Sequence, residues 1–160
     1  MSEKVLTSTQ LVPILAQARV QKKRIVFTNG CFDLMHVGHT RYLQETRRLG
    51  DLLVVGVNSD ASVRSLNKGP DRPIVSDSQR AEVVAALGCV DYVVVFTEPD
   101  PLNVITTIRP DVLVKGGDWP VERIIGREIV EASGGVVKTI PLVPNVSTTS
   151  LIQRVRALAT

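Results

Sequence analysis

Thr28-Asn29-Gly30-Cys31-Phe32-Asp33-Leu34-Met35-His36-Val37-Gly38-His39 is the stretch around which the chain is organised. It leaves an apolar run, residues 24–28, that reads as a buried strand. It turns at Gly30 and enters residues 40–49, which read as a helix. A strand, a glycine turn and a helix start form a phosphate site in outline. Free backbone N–H groups and the positive end of the helix dipole point at whatever lies above the sheet. His36 and His39 stand at that helix mouth at a spacing that lets both face one ligand. Gly38 between them has no side chain and allows a phosphate to approach the backbone closely.

Upstream, residues 11–20 carry apolar side chains at helical spacing, with Thr7, Ser8 or Thr9 as the cap. Pro13 is tolerable only near a first turn, which predicts a start close to Thr9. Residues 21–23 are a polar connector, and Gly50 stops the helix after the histidines. Downstream, residues 52–58 are a second continuous apolar strand ending in Asn58-Ser59-Asp60. Residues 67–73 hold Gly69, Pro70 and Pro73 among Lys68, Asp71 and Arg72, an exposed mobile loop carrying cations. Ser76 with Gln79 predicts a capping box for a helix to about Leu87, closed by Gly88.

A third strand spans 92–96, and Asp100 starts a helix through Ile108 that Pro110 ends. A short fourth strand, 112–115, leads into Gly116-Gly117-Asp118-Trp119-Pro120. Residues 122–132 read as one helix with Gly134 as its stop, and 136–140 as a fifth strand. The loop 141–146 enters a last helix through Ser147-Thr148-Thr149. Strand and helix alternate at the spacing of βαβ units. The fold class is therefore α/β: a single Rossmann-like, doubly wound domain with a five-stranded parallel sheet. The whole chain, 1–160, reads as one domain, with helix and connector 1–23 ahead of a core 24–160. In such folds ligands lie beyond the carboxyl ends of the strands. The unusual residues of this chain, 28–39, 58–60, 115–119 and 144–149, all fall there.

Composition agrees with this and excludes other classes. Val, Leu and Ile dominate while aromatics make up only 4%, which suits a sheet covered on both faces. No apolar run reaches the roughly 18 residues of a membrane span. The polar first residues lack a signal-peptide pattern, so a cytoplasmic protein is expected. The net charge of +3 favours anionic small molecules, without the dense basic runs of a nucleic-acid face. Cys31 and Cys89 make no disulfide pattern and are expected as free thiols.

The histidine pair is the chemical centre. A zinc site needs three protein ligands, and Cys31 or Asp33 would have to complete the only two histidines of the chain. The favoured role is hydrogen-bond donation to a phosphate group as charge moves onto it. Cys31 beside His36 suggests a thiol nucleophile, but with no orienting third group a small residue at the turn is the simpler role. Ser147, Thr148, Thr149 and Ser150 cap the last helix in any case, and their hydroxyls and free N–H groups also make a second anion site. Lys115 ends a strand, poorly placed for burial and well placed to reach into the crevice. Gly116 and Gly117 allow close backbone approach to a base or phosphate. Lys68, Arg72 and Arg80 lie on or after the mobile loop, as phosphate-gripping groups or as solvated cations. Trp119 stacks on a sugar or base, or simply packs.

These motifs carry a resemblance. His36-Val37-Gly38-His39 resembles the HxGH signature of the nucleotidyltransferase superfamily, and the stretch from Thr28 to Asp33 resembles its cytidylyltransferase-like branch. Val146-Ser147-Thr148-Thr149 is similar to the second signature of that branch, an Ile-Ser-Thr-Thr run over the triphosphate. With Lys115-Gly116-Gly117-Asp118-Trp119 and Asn58-Ser59-Asp60, the chain looks like the adenylyltransferases that make ADP-heptose from heptose 1-phosphate and ATP. Related glycerol-phosphate and choline-phosphate cytidylyltransferases carry Arg-Thr-Glu-Gly before the Ser-Thr-Thr. Here Val143-Pro144-Asn145-Val146 stand instead, which weakens a CTP assignment and agrees with ATP.

The resemblance implies a mechanism and residue roles. The acceptor phosphate attacks the α-phosphorus of ATP, and pyrophosphate leaves from the opposite side. Mg²⁺, carried largely by the ATP phosphates, shields charge. His36, His39 and Lys115 are the implied catalytic set. Thr28, Asn29, Gly30, Cys31, Phe32, Gly38, Lys68, Arg80, Gly116, Ser147, Thr148 and Thr149 are the implied nucleotide and phosphate contacts. Asp33, Asp60, Arg72, Asp118 and Trp119 are associated with the sugar phosphate or with hydrated Mg²⁺, and the residues do not choose between these. The implied product feeds a lipopolysaccharide inner core or another heptose glycan. No kinase-sized extension is present in the 160 residues, as in stand-alone forms. Partners are ATP and heptose 1-phosphate, with no nucleic acid or membrane, and a homodimer is left open. The rivals are a cytidylyltransferase acting on glycerol 3-phosphate, an aminoacyl-tRNA synthetase fragment, and a non-catalytic nucleotide sensor.

Overall fold

A computed structural model describes residues 2–117 and 119–159. Five strands form one all-parallel sheet in the order β3-β2-β1-β4-β5: β1 Ile25–Gly30, β2 Leu52–Asn58, β3 Tyr92–Phe96, β4 Val112–Gly116 and β5 Val136–Ile140. The helices are α1 Ser8–Val20, α2 Val37–Arg47, α3 Asp60–Ser65, α4 Asp77–Ala85, α5 Leu102–Ile108, α6 Arg127–Ala132 and α7 Thr148–Leu158. The chain builds outward from β1 to β3, then returns to lay β4 against the other side of β1. Thr28 pairs with Val55 of β2 and with Val114 of β4. The reversal point between β1 and β4 is where a doubly wound sheet opens a crevice.

Burial follows the two-residue period of the strands. Phe27, Val54, Val94 and Leu113 pack under α1 and α5, against Leu11, Leu15, Ile105 and Ile108. Val26, Leu53, Val55, Val93 and Val112 face α2 and α4, against Leu43, Ala81 and Val84. Removing side chains of this size from water contributes about 1.5–3 kcal/mol each. Three aspartates tie the amino ends of the strands together. Asp51, Asp91 and Asp111 each accept, at 2.7 Å, the N–H of a residue in a neighbouring chain segment, respectively Arg24, Leu53 and Ile25. Those N–H groups would otherwise be orphaned where the ladder begins. At the β3 edge, Leu6 donates to Val93 and Val93 to Lys4, both at 2.9 Å, so the N-terminal segment covers that edge.

The helices differ from the sequence expectations in instructive ways. Thr7 is the cap of α1, in a reciprocal capping box with Gln10, and Pro13 lies in its second turn. The proline is exposed, so the helix tolerates a freed carbonyl that water can satisfy. Helix α2 begins at Val37, not at residue 40, which puts His39 inside its first turn. Helix α3 follows β2 directly, capped by Ser59, where no helix was expected. The predicted capping box at Ser76 does not form, and α5 starts at Leu102 with Asp100 accepting its N–H.

The single helix expected over 122–132 is broken into a 3₁₀ turn, Val121–Arg123, and α6. Gly126 makes the break. It adopts φ +88°, and a Cβ there would lie 2.7 Å from Cδ1 of Ile105. Gly126→Ala is expected to lower stability by about 1–3 kcal/mol, from the left-handed backbone plus crowding. Thermal unfolding would show this as a midpoint lowered by roughly 2–4 °C per kcal/mol for a chain of this size. An unchanged midpoint would contradict the role of Gly126.

Candidate active site

A cleft of about 810 Å³ runs across the carboxyl ends of the strands, centred on the reversal point. The β1–α2 loop, the segment after α3, the end of β4 and the start of α7 all open into it. Of the residues expected from sequence, Asn29, Gly30, Cys31, Phe32, Asp33, His36, Gly38, His39, Lys68, Arg72, Lys115, Gly116, Trp119, Ser147, Thr148 and Thr149 line it. Asp118 lies outside the described residues.

His36 caps α2, and His39 is its third residue. Their rings stack with centroids 3.9 Å apart and planes at 26°. Nδ1 of His39 accepts the backbone N–H of His36 at 3.3 Å, so the proton of a neutral His39 sits on Nε2 as a donor. Desolvation, then repulsion from His36 and Lys68, lowers the His39 pKa from 6.5 to about 4. Burial lowers that of His36 as well. Both rings are therefore neutral donors at pH 7 rather than cations. A Cβ on Gly38 would lie 2.9 Å from both Nδ1 and Cε1 of His36. The missing side chain in the His-x-Gly-His run thus makes room for the His36 ring itself. Nδ1 of His36 is buried without a hydrogen-bond partner among the described residues.

Asp33 holds the loops together. Its buried carboxylate accepts Nε of Arg72 at 2.7 Å and the N–H groups of Ile74 and Val75 at 2.9 and 3.0 Å. Burial pushes its carboxyl up, but the two amides and Arg72 outweigh that and hold the pKa below its ordinary value. Asp33 is thus a scaffold group, engaged by three donors, rather than a free carboxylate for a sugar or cation. The Asp33 carbonyl accepts the Thr148 hydroxyl at 2.6 Å, docking the mouth of α7 onto the same loop. Ser147 is taken up by its own capping box with Ser150. Among the described residues the Thr149 hydroxyl makes no hydrogen bond and lines the cleft.

Two lysines face Cys31 and β1. Nζ of Lys68 lies 3.4 Å from Sγ of Cys31, and Nζ of Lys115 donates to Oδ1 of Asn29 at 2.8 Å. Burial, then repulsion from Lys68, lowers the Lys115 pKa from 10.5 to about 8, with Cys31 acting in the opposite direction. Both cysteines are free thiols. Among the described residues, no three His, Cys, Asp or Glu side chains converge as a metal site. No helix of the described residues is long and apolar enough to cross a membrane.

Three expected residues lie behind the cleft wall. Arg80 is 1% exposed and donates to the carbonyls of Val75 and Cys31 at 2.8 and 2.6 Å and to Asp60 at 2.7 Å. It braces the site from below instead of reaching a phosphate, and Asp60 is its counter-ion. Thr28 is fully buried, its hydroxyl 2.7 Å from that of Tyr42. Tyr42 itself lines the cleft and was missed, since a tyrosine in mid-helix carries no sequence signal of its own. Asp100, Arg123, Ile124, Ile125 and Leu142 also line it unforeseen. Arg123 sat in a stretch read as helical, where a cation reads as solvent-facing.

The pattern of the cytidylyltransferase-like family matches residues 27–154. The protein called bifunctional protein HldE of Syntrophotalea carbinolica is 55% identical over 152 residues, which are 95% of this chain and 31% of that protein. Its counterpart in Geobacter sulfurreducens is 54% identical over the same shares. The chain thus spans about a third of the length of these curated relatives. A solved lipopolysaccharide core biosynthesis protein from Thermoplasma volcanium superposes with a TM-score of 0.63 at 29% identity, covering 76% of this chain and 97% of that one. The pantoate-beta-alanine ligase of Francisella tularensis, at TM-score 0.64 and 13% identity over 99% and 79% of the two chains, shares the fold.

The lowered pKa of Lys115 has a testable sign. The folded protein sheds this proton near pH 8 and the unfolded chain near 10.5, so Lys115 adds stability as pH rises through that window. The charge needed for an anion is lost over the same range. Affinity for inorganic triphosphate, followed by calorimetry, is expected to fall as pH rises above about 8. Lys115→Met should bind more weakly and lose that limb. A wild-type affinity flat across this range would remove Lys115 from the anion site.

Proposed function

The chain belongs to the cytidylyltransferase-like family, and we propose that within it the protein transfers an adenylyl group from ATP to heptose 1-phosphate. The products are ADP-heptose and pyrophosphate. The observation that carries this is the convergence of the histidine pair, Lys68, Lys115 and the α7 mouth on one donor-rich cleft. High identity to the HldE proteins and likeness to a lipopolysaccharide core biosynthesis protein support the heptose acceptor. The absence of an Arg-Thr-Glu-Gly run at 143–146 supports ATP over CTP. The product then serves a lipopolysaccharide inner core or another heptose glycan, made in the cytoplasm. Residues 24–160 form the catalytic core, with α1 and its connector ahead of it.

The acceptor phosphate is already ionised at neutral pH, so the site needs alignment and charge stabilisation more than a strong base. An oxygen of the acceptor phosphate bonds to the α-phosphorus. The bond from that phosphorus to the bridging oxygen breaks, and pyrophosphate leaves with the electron pair. Nε2–H of His39 donates to oxygens on which charge grows, and the stacked His36 ring holds it in place. Lys68 and Lys115 supply positive charge over Asn29 and Cys31. The Thr149 hydroxyl and the free N–H groups at the mouth of α7 take the β- and γ-phosphates. The cleft offers donors rather than a set of carboxylates, so Mg²⁺ fits as an ion held by the triphosphate. There it would supply charge neutralisation.

The test is pyrophosphate release with Mg²⁺, crossing ATP and CTP with heptose 1-phosphate and glycerol 3-phosphate. Release with ATP and heptose 1-phosphate alone is the expected result. Release with CTP and glycerol 3-phosphate would replace the substrates and keep the chemistry. Silence with every pair would favour a nucleotide-binding protein without turnover. His39→Ala is expected to lower kcat by about 100-fold or more with little change in ATP affinity, as for a donor used mainly in the transition state. A near-normal kcat would remove that role.

A further inference from the structure

The cleft has two walls, and the triphosphate groups account for only one of them. The histidine helix α2 packs through Leu43 on the sheet face that holds Val26 and Val55, and α7 docks on the same side through Thr148 and Asp33. The other wall is the segment after β4. Ile124 is buried in the opposite core with Val104 and Ile105 of α5, and Gly126 abuts Ile105. This anchors the 3₁₀ turn Val121–Arg123 against α5, while Arg123 itself is exposed and lines the cleft.

The guanidinium groups around the cleft differ in one respect. Arg72 is paired with Asp33 and Arg80 with Asp60 and two carbonyls. Among the described residues the side chain of Arg123 has no hydrogen-bond or ion-pair partner. Trp119, 59% exposed, and Ile125, 43% exposed, line the same cleft. Asp100, between Pro99 and Pro101, lines the same cleft. An unpaired planar fork of donors, in a cleft that also exposes an aromatic side chain, suits a phosphate monoester carrying a polyhydroxylated ring. A displacement in line with the leaving pyrophosphate requires the incoming oxygen to approach from the side away from the α7 mouth.

Resting on the adenylyl-transfer reading above, we infer that Arg123 binds the phosphate of the acceptor, a sugar phosphate entering from the α5 wall. Trp119 and Asp100 flank the sugar there. Among the described residues the Arg123 side chain ties down no other part of the fold, so its variants are expected to fold normally.

Steady-state kinetics of pyrophosphate release test this, with whichever of heptose 1-phosphate or glycerol 3-phosphate the wild type consumes. Arg123→Ala is expected to raise the acceptor KM about 10-fold or more, as for loss of a charge-assisted hydrogen bond, with the ATP KM held within about twofold. Arg123→Lys should recover part of the loss. An acceptor KM within about twofold of wild type in Arg123→Ala would mark a solvated surface arginine and overturn the inference. An ATP KM that rises as much as the acceptor KM would overturn it too, placing Arg123 on the triphosphate. Turnover of glycerol 3-phosphate alone would refute the heptose acceptor and leave Arg123 to be judged on that substrate. A wild type silent with both acceptors would remove the adenylyl-transfer reading, and the inference with it.

Discussion

The buried carboxylate of Asp33 is the constraint on which the site depends. The loop it belongs to is strained, with Phe32 at φ +50° and Leu34 at φ +54°, each a non-glycine residue in the left-handed region. Such residues cost about 1–2 kcal/mol apiece and persist only where their surroundings over-determine them. The surroundings here are specific. The Asp33 side chain takes three donors from residues 72–75, its carbonyl takes Thr148, and Arg80 holds the carbonyl of Cys31. Loop, histidine helix and last helix are thereby fixed to one another before any ligand is considered. A site of this kind is pre-organised, which is what charge stabilisation in a transition state demands.

The same network explains the electrical character of the cleft. Asp33 and Asp60 are engaged by Arg72 and Arg80. What remains facing the cleft is a surplus of donors: neutral imidazoles, two lysines and a helix mouth. Burial keeps the histidines uncharged and lowers the Lys115 pKa to about 8. The cleft is thus built for an anion that arrives with several negative charges and restores what desolvation took away.

Some of this was legible in the residues. The apolar runs predicted all five strands, with ends within two residues of the observed ones. The central strands β1, β2 and β4 run between two cores and are mostly apolar for that reason, whereas β5 is a largely exposed edge. Helix ends were less legible. Asp60–Ser65 is too short to show a period, and the break at Gly126 depends on contact with Ile105. At the site, glycine turn, histidines and hydroxyl cluster were readable as residue types at helix mouths. Arg80 and Asp33 were legible as charges near the site, but not as structural groups, since a sequence does not say which charges face each other.

The chain by itself determined the class of fold and the end of the sheet where the chemistry lies. Both follow from local rules: apolar periodicity selects the elements, and helix mouths after strands collect anion-binding groups. Tertiary structure alone decided which polar residues meet the ligand and which are consumed in holding the loops. It stacked His36 on His39, enclosed Arg80, spent Asp33 on residues 72–75 and set Arg123 on the opposite wall of the cleft. The reason is physical: a charged side chain takes its role from partner and burial, and both are set by segments tens of residues apart.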